Sequence, residues 1–274
     1  MSQTVTLSKT RTLIESAIMV AIATVLSMIK LLDLPYGGSV TIASMLPIVI
    51  IAYRHGIRAG LTAGFVFGII QQLLGLNTLS YVTTWQSVVA VIMLDYIVAF
   101  LVIGFGGLFR KAGYISQPSA IMLGTVTVCI LRYICHVISG ATVWAGLSIP
   151  TEAALWYSIG YNATYMVPET IVTATVGYYV ASILDLTQET IVPFAGGKKE
   201  SVPIRKWIGG LLISAVLVFD VRNIFSHLQN ADSGEFDATG FASVNWIMLA
   251  VATAVCAIAA FVLFRAKTAK SKTA

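Results

Sequence analysis

Eight apolar stretches follow one another along this 274-residue chain, and they leave few ways for it to fold. They run approximately Leu13–Leu32, Thr41–Tyr53, Ala59–Leu76, Gln86–Phe109, Ala120–Leu147, Trp156–Leu184, Trp207–Phe225 and Val244–Phe264. A spanning helix needs roughly 20 apolar residues; the second stretch is shorter and is expected to be tilted or partly buried in protein. Only 11% of residues are charged, against about a quarter in a soluble domain. Lipid offers no partner to an open backbone, so helices are the elements that can carry these stretches across. The expected fold is all-α: a polytopic membrane helix bundle.

The connectors orient it. Lys9 and Arg11 precede the first stretch, Arg54 and Arg58 follow the second, and Arg110 and Lys111 follow the fourth. Lys198, Lys199, Arg205 and Lys206 follow the sixth, and Lys267, Lys270 and Lys272 the eighth. The odd connectors instead hold Asp33, Glu152, Asp232, Glu235 and Asp237. By the positive-inside rule both termini are cytoplasmic, in a cell membrane. The first stretch lacks a small-residue cleavage site and is expected to be retained as a helix. The polar run at 196–200, Gly-Gly-Lys-Lys-Glu, divides a six-helix unit (1–195) from a basic linker and a terminal two-helix unit (196–274). Cys129, Cys135 and Cys256 match no metal or disulfide pattern.

Ionisable groups at membrane depth are costly and mark function by default. Here they are Asp95, Arg132, His136 and Glu169. If helices five and six form a hairpin around Pro150, Arg132 and Glu169 lie at similar depth, and an ion pair locking the two helices is the simplest reading. Positions 132, 136, 140 and 144 share one helix face, as do 157, 161, 165 and 169. His136, Trp144, Tyr157 and Asn162 then form a chamber of aromatic and hydrogen-bonding groups in the outer half of the membrane. Asp95, beside Tyr96, supplies a carboxylate two to three turns below the outer surface. Aromatic faces around one carboxylate suit a flat organic cation or a weak base. A serine protease would need an activated Ser–His arrangement, and Ser148 and His136 have no recognisable spacing. Three scattered histidines make no metalloenzyme site, and no cofactor is expected.

Three blocks carry a resemblance: Leu94-Asp95-Tyr96; Arg132 to Trp144 (RYICHVISGATVW); and Tyr157 to Glu169 (YSIGYNATYMVPE). Over about residues 10–190 the chain resembles the thiamine-specific substrate-binding (S) component of energy-coupling factor (ECF) transporters. The resemblance implies thiamine binding by Asp95, Tyr96, His136, Gly140, Trp144, Tyr157 and Asn162, with Trp144 stacking on a ligand ring. It implies a transmembrane coupling subunit and two cytoplasmic ATPase subunits as partners, since the chain has no P-loop. Ala17 and Ala21 on helix one have the small-xxx-small spacing that permits close helix approach, and mark a docking face. The chain departs from the family in three ways. Asp95 stands where glutamate is usual, the loop from Asp33 to Gly38 lacks the lid tryptophan (Tyr36 is its candidate substitute), and six helices rather than eight are normal.

Overall fold

A computed structural model of the chain describes residues 9–34, 37–145, 154–194, 204–227 and 238–265. The candidate lid residue Tyr36, the hairpin centre at Pro150, Ser148, the division at 196–200 and the charged residues of the later odd connectors lie outside the described residues.

The protein is an all-α polytopic membrane bundle, and all eight expected helices are present. Helix α1 is Lys9–Met28, α2 Leu46–His55 and α3 Ile57–Leu74. Helix α4, Trp85–Lys111, is continuous but irregular. Helices α5 (Gln117–Thr142), α6 (Ala154–Ile183), α7 (Ile204–His227) and α8 (Trp246–Arg265) complete the set. Among the described residues, α1, α3, α4, α5 and α8 are long and apolar enough to cross a membrane. Helix α2 is not: it is ten residues long, and nine of them are buried, so it is a core element.

The first stretch ends sooner than expected, at Met28 rather than Leu32. Residues Lys30–Asp33 form strand β1, antiparallel to β2, Ser39–Thr41. The pattern switches from helical to alternating here: Leu32 and Leu34 are buried while Leu31 and Asp33 are exposed. The turn closes through the Leu34 amide, which donates to the Gly38 carbonyl at 2.6 Å. Taking residues 39–41 into a strand also shortens the second stretch at its start.

Helices α2 and α3 meet at Gly56, which ends one and begins the next. Its φ of 93° is a conformation that side chains strain to adopt. Helix α3 then runs against α4 along Gly60, Gly64 and Gly68. A Cβ added to Gly64 would lie 2.6 Å from the Phe100 carbonyl oxygen, and one added to Gly60 would lie 2.8 Å from that of Gly104. Small residues at this spacing let two membrane helices touch backbone to backbone. Helices α5 and α6 pack along their length as the expected hairpin: the Tyr133 hydroxyl donates to the Ile159 carbonyl at 2.8 Å and the Ser158 hydroxyl to that of Val137 at 2.8 Å.

At the end of the bundle holding the start of α1, charges clamp three segments. Glu15 pairs with Arg54 at 2.8 Å and with His55 at 2.6 Å. Arg54 also donates to the Leu186 carbonyl at 2.7 Å, and Arg11 pairs with Glu189 at 2.6 Å. Helix α7 packs on α6, where Gly210 lies against Thr175, and α8 packs on α7, where Phe264 lies over Gly209. Val251, Val255, Ile258 and Val262 of α8 are all more than half exposed, as a lipid-facing surface would be.

Candidate functional site

A cavity of about 530 Å³ opens at the opposite end of the bundle, between the β1–β2 hairpin, α4, α5 and α6. Asp95 reaches it from an irregular part of α4. Residues Ile92–Val98 adopt a π-helical turn, a wider winding that recurs at functional sites. The carboxylate is held by groups from α5 and the residues just after it. Asp95 Oδ2 accepts from Ser139 Oγ at 2.6 Å and from Trp144 Nε1 at 3.1 Å. Asp95 Oδ1 lies 3.0 Å from His136 Nδ1.

That last contact assigns the histidine ring. An ionised carboxylate at Asp95 only accepts, which assigns the proton to Nδ1 of a neutral ring. Nε2 is then an acceptor, and it faces the Arg132 guanidinium at a long 3.4 Å. Asn162 Nδ2 donates to the His136 carbonyl at 3.3 Å, and the Tyr165 hydroxyl donates to Asn162 Oδ1 at 2.5 Å. The Tyr96 hydroxyl pairs with Thr78 Oγ1 at 2.9 Å, tying α4 to the short 3-10 turn Leu76–Tyr81. Tyr81, at the end of that turn, lies 6.5 Å from the Trp144 ring centre to centre.

Asp95, Tyr96, His136, Gly140, Trp144 and Asn162, six of the residues expected at the site, line this one cavity. Tyr157 is not among its lining residues; it packs behind Trp144 with Val82 and Val91. The expected Arg132–Glu169 ion pair does not form. Both side chains are buried and both line the cavity, but they make no ion-pair contact. Arg132 instead lies over the Phe100 ring, 4.3 Å from its centre, with Nη1 2.7 Å from Met45 Sδ. Glu169 accepts from the Thr41 amide at 2.6 Å and from the Thr41 hydroxyl at 2.8 Å. The β1–β2 hairpin thus takes the carboxylate that the two-helix reading gave to arginine.

Ser139 and Tyr81 are site residues that the sequence reading missed. Ser139 sits three residues after His136 on the same helix face, which is a usable signal; Tyr81 depends on a turn with no periodic pattern. Ala17 and Ala21 are both exposed on α1, away from the bundle core.

A helical membrane bundle with a polar, aromatic-walled cavity at one end has the architecture of a membrane protein that binds a small molecule. The comparisons name the group. The family described as thiamine transporter protein (Thia_YuaJ) matches residues 13–189, and the chain belongs to it. The thiamine transporter ThiT of Bacillus subtilis is 41% identical over 179 residues, covering 60% of this chain and 86% of that protein. ThiT of Lacticaseibacillus paracasei is 29% identical over 184 residues, covering 60% and 83%. The solved structure of ThiT from Listeria monocytogenes matches with a TM-score of 0.50 and 26% identity, over 62% of this chain and 92% of that one. Helices α7 and α8 follow the stretch that the family matches.

Proposed function

We propose that this chain is the high-affinity thiamine-binding membrane subunit, the S component, of an ATP-driven energy-coupling factor importer, and that it takes thiamine from outside the cell. One observation carries the reading: Asp95, fixed by His136, Ser139 and Trp144, stands at the wall of an aromatic cavity in a chain of the thiamine transporter family. Thiamine is a flat aromatic cation joined to an aminopyrimidine. A carboxylate supplies its counter-charge, and the faces of Trp144, Tyr81 and Tyr96 supply cation–π attraction, which strengthens as water is excluded. The alternation of basic and acidic connectors favours cytoplasmic termini, so that the cavity faces outward.

On this reading ATP hydrolysis belongs to separate partners, a transmembrane coupling subunit and two cytoplasmic ATPase subunits, in keeping with a sequence that carries no P-loop motif. The exposed Ala17–Ala21 face of α1 is a suitable docking surface for the first of these.

The competing reading is a self-sufficient secondary transporter for thiamine or another small aromatic cation. It draws on the ionisable groups Asp95, His136 and Glu169 and on the additional pair α7–α8. Proteoliposomes holding this chain alone separate the two. The S-component reading expects bound thiamine without accumulation under a proton or sodium gradient. Gradient-driven accumulation without ATPase subunits would establish the secondary transporter instead.

A further inference from the structure

At the end of the bundle away from the cavity, the carboxylates are engaged and some of the cations are left over. Glu15 serves Arg54 and His55, Glu189 serves Arg11, and Asp185 accepts from Thr187 and Gln188. The side chains of Arg58, Arg110 and Lys111 make no hydrogen bond or ion pair among the described residues. They lie where α3 begins and α4 ends, two helices in backbone contact with Gly60 against Gly104. A Cβ added to Gly56 would lie 3.2 Å from Arg110 Nη1, so this guanidinium sits over the α2–α3 joint, two residues before Arg58. Lys111 is the last residue of α4. Like charges gathered at one corner repel unless an anion joins them.

The surface leading away from these cations faces lipid. Arg58, Thr62, Phe65 and Ile69, spaced by four, three and four, share one side of α3, and all are exposed. On α4, Leu108 lies one turn before Lys111, and both are exposed. Phe65 is 42% exposed, Ile69 40% and Leu108 48%. Tyr114, 92% exposed, stands three residues past Lys111, an amphipathic ring of the kind that settles at headgroup level. The unpaired cations therefore cap an apolar strip made by the same two helices.

We infer that the α3–α4 corner binds an anionic phospholipid, with the phosphate among Arg58, Arg110 and Lys111 and the acyl chains along Phe65, Ile69 and Leu108. Charge complementarity selects an anion. The apolar strip continuous with the cations selects a lipid over a free phosphate. The planar guanidinium fork matches phosphate oxygens with two donors at once. Other arginines at this face are already used. Arg54 is buried and gives its donors to Glu15 and to the carbonyls of Leu186, Gln188 and Glu189. Arg265 lies over the Phe261 ring of its own helix, 4.9 Å from the centre. The corner is remote from Asp95, so the inference stands or falls separately from the thiamine reading.

The test titrates delipidated, full-length protein in detergent with phosphatidylglycerol and, separately, with phosphatidylcholine, and counts bound lipid by native mass spectrometry. The wild type is expected to take up one phosphatidylglycerol at least about tenfold more tightly than phosphatidylcholine, a preference that shrinks as salt rises. The double variant Arg58→Gln/Arg110→Gln is expected to bring the two lipids within about threefold. Where that variant does not fold, the exposed single change Arg58→Gln carries the test, with the preference reduced about fivefold. Arg265→Gln removes a cation from another helix end and is expected to keep the preference. Equal wild-type affinities for the two lipids, or a folded double variant with the full preference, would overturn the inference. An equal loss in Arg265→Gln would overturn it too, since diffuse surface charge would then be the cause. So would displacement of phosphatidylglycerol by inorganic phosphate at equal concentration, which would leave the apolar strip without a role.

Discussion

Asp95 takes three partners from one neighbouring segment, so its position depends on α5 as much as on α4. Asp95→Asn removes the counter-charge and mispairs at least one of those donors. Thiamine affinity measured by calorimetry should fall at least tenfold, about 1.4 kcal/mol or more. Trp144→Ala should do the same, by removing both an aromatic wall and a carboxylate donor. Cys135 makes no such contact, and Cys135→Ala should leave affinity within about twofold, since substitutions away from such features are usually small. Much of this site was legible in the sequence: membrane depth makes Asp95 and His136 conspicuous, and the four-residue spacing collects Gly140 and Trp144. The Arg132–Glu169 pair misled because two facing helices were considered without the hairpin before α2. Depth and spacing put the charges at one level, but the groups that hold them come from far earlier in the chain, Met45 lying 87 residues before Arg132 and Thr41 128 before Glu169.

Among the elements, the departures from expectation cluster around the cavity. The β1–β2 hairpin was concealed by a continuous apolar run, in which a short strand and the end of a membrane helix look alike. The π turn of α4 carries no composition signal at all. The glycine stripe of α3 is visible in the sequence, but its partner is not until α4 is in place. Gly64→Leu should drive a side chain into the Phe100 carbonyl and sharply lower the melting temperature of the protein in detergent, or prevent its folding. Gly113→Ala is the matched control: nothing lies within 4 Å of its added methyl, and the same melting measurement should shift little. Glycine content alone distinguishes neither position; the neighbouring helix does.

For the molecule as a whole, every residue that lines the cavity lies between Ser27 and Glu169, while α7 packs on α6 and α8 packs on α7. A chain shortened to residues 1–195 should therefore keep thiamine affinity within about threefold in the same calorimetric assay, since distant sites act nearly independently. A shortened protein that folds but no longer binds would assign the terminal pair to the site. The central claim is that the cavity beside Asp95 binds thiamine. Its most direct test follows tryptophan fluorescence while the intact purified protein is titrated with thiamine and, separately, with other vitamins. Of five tryptophans in the chain, Trp144 lines the cavity. The account predicts saturable quenching by thiamine at micromolar concentration or below, largely lost in Trp144→Phe, and no comparable response to the other vitamins. An unchanged signal across the thiamine titration, with calorimetry equally silent, would contradict it.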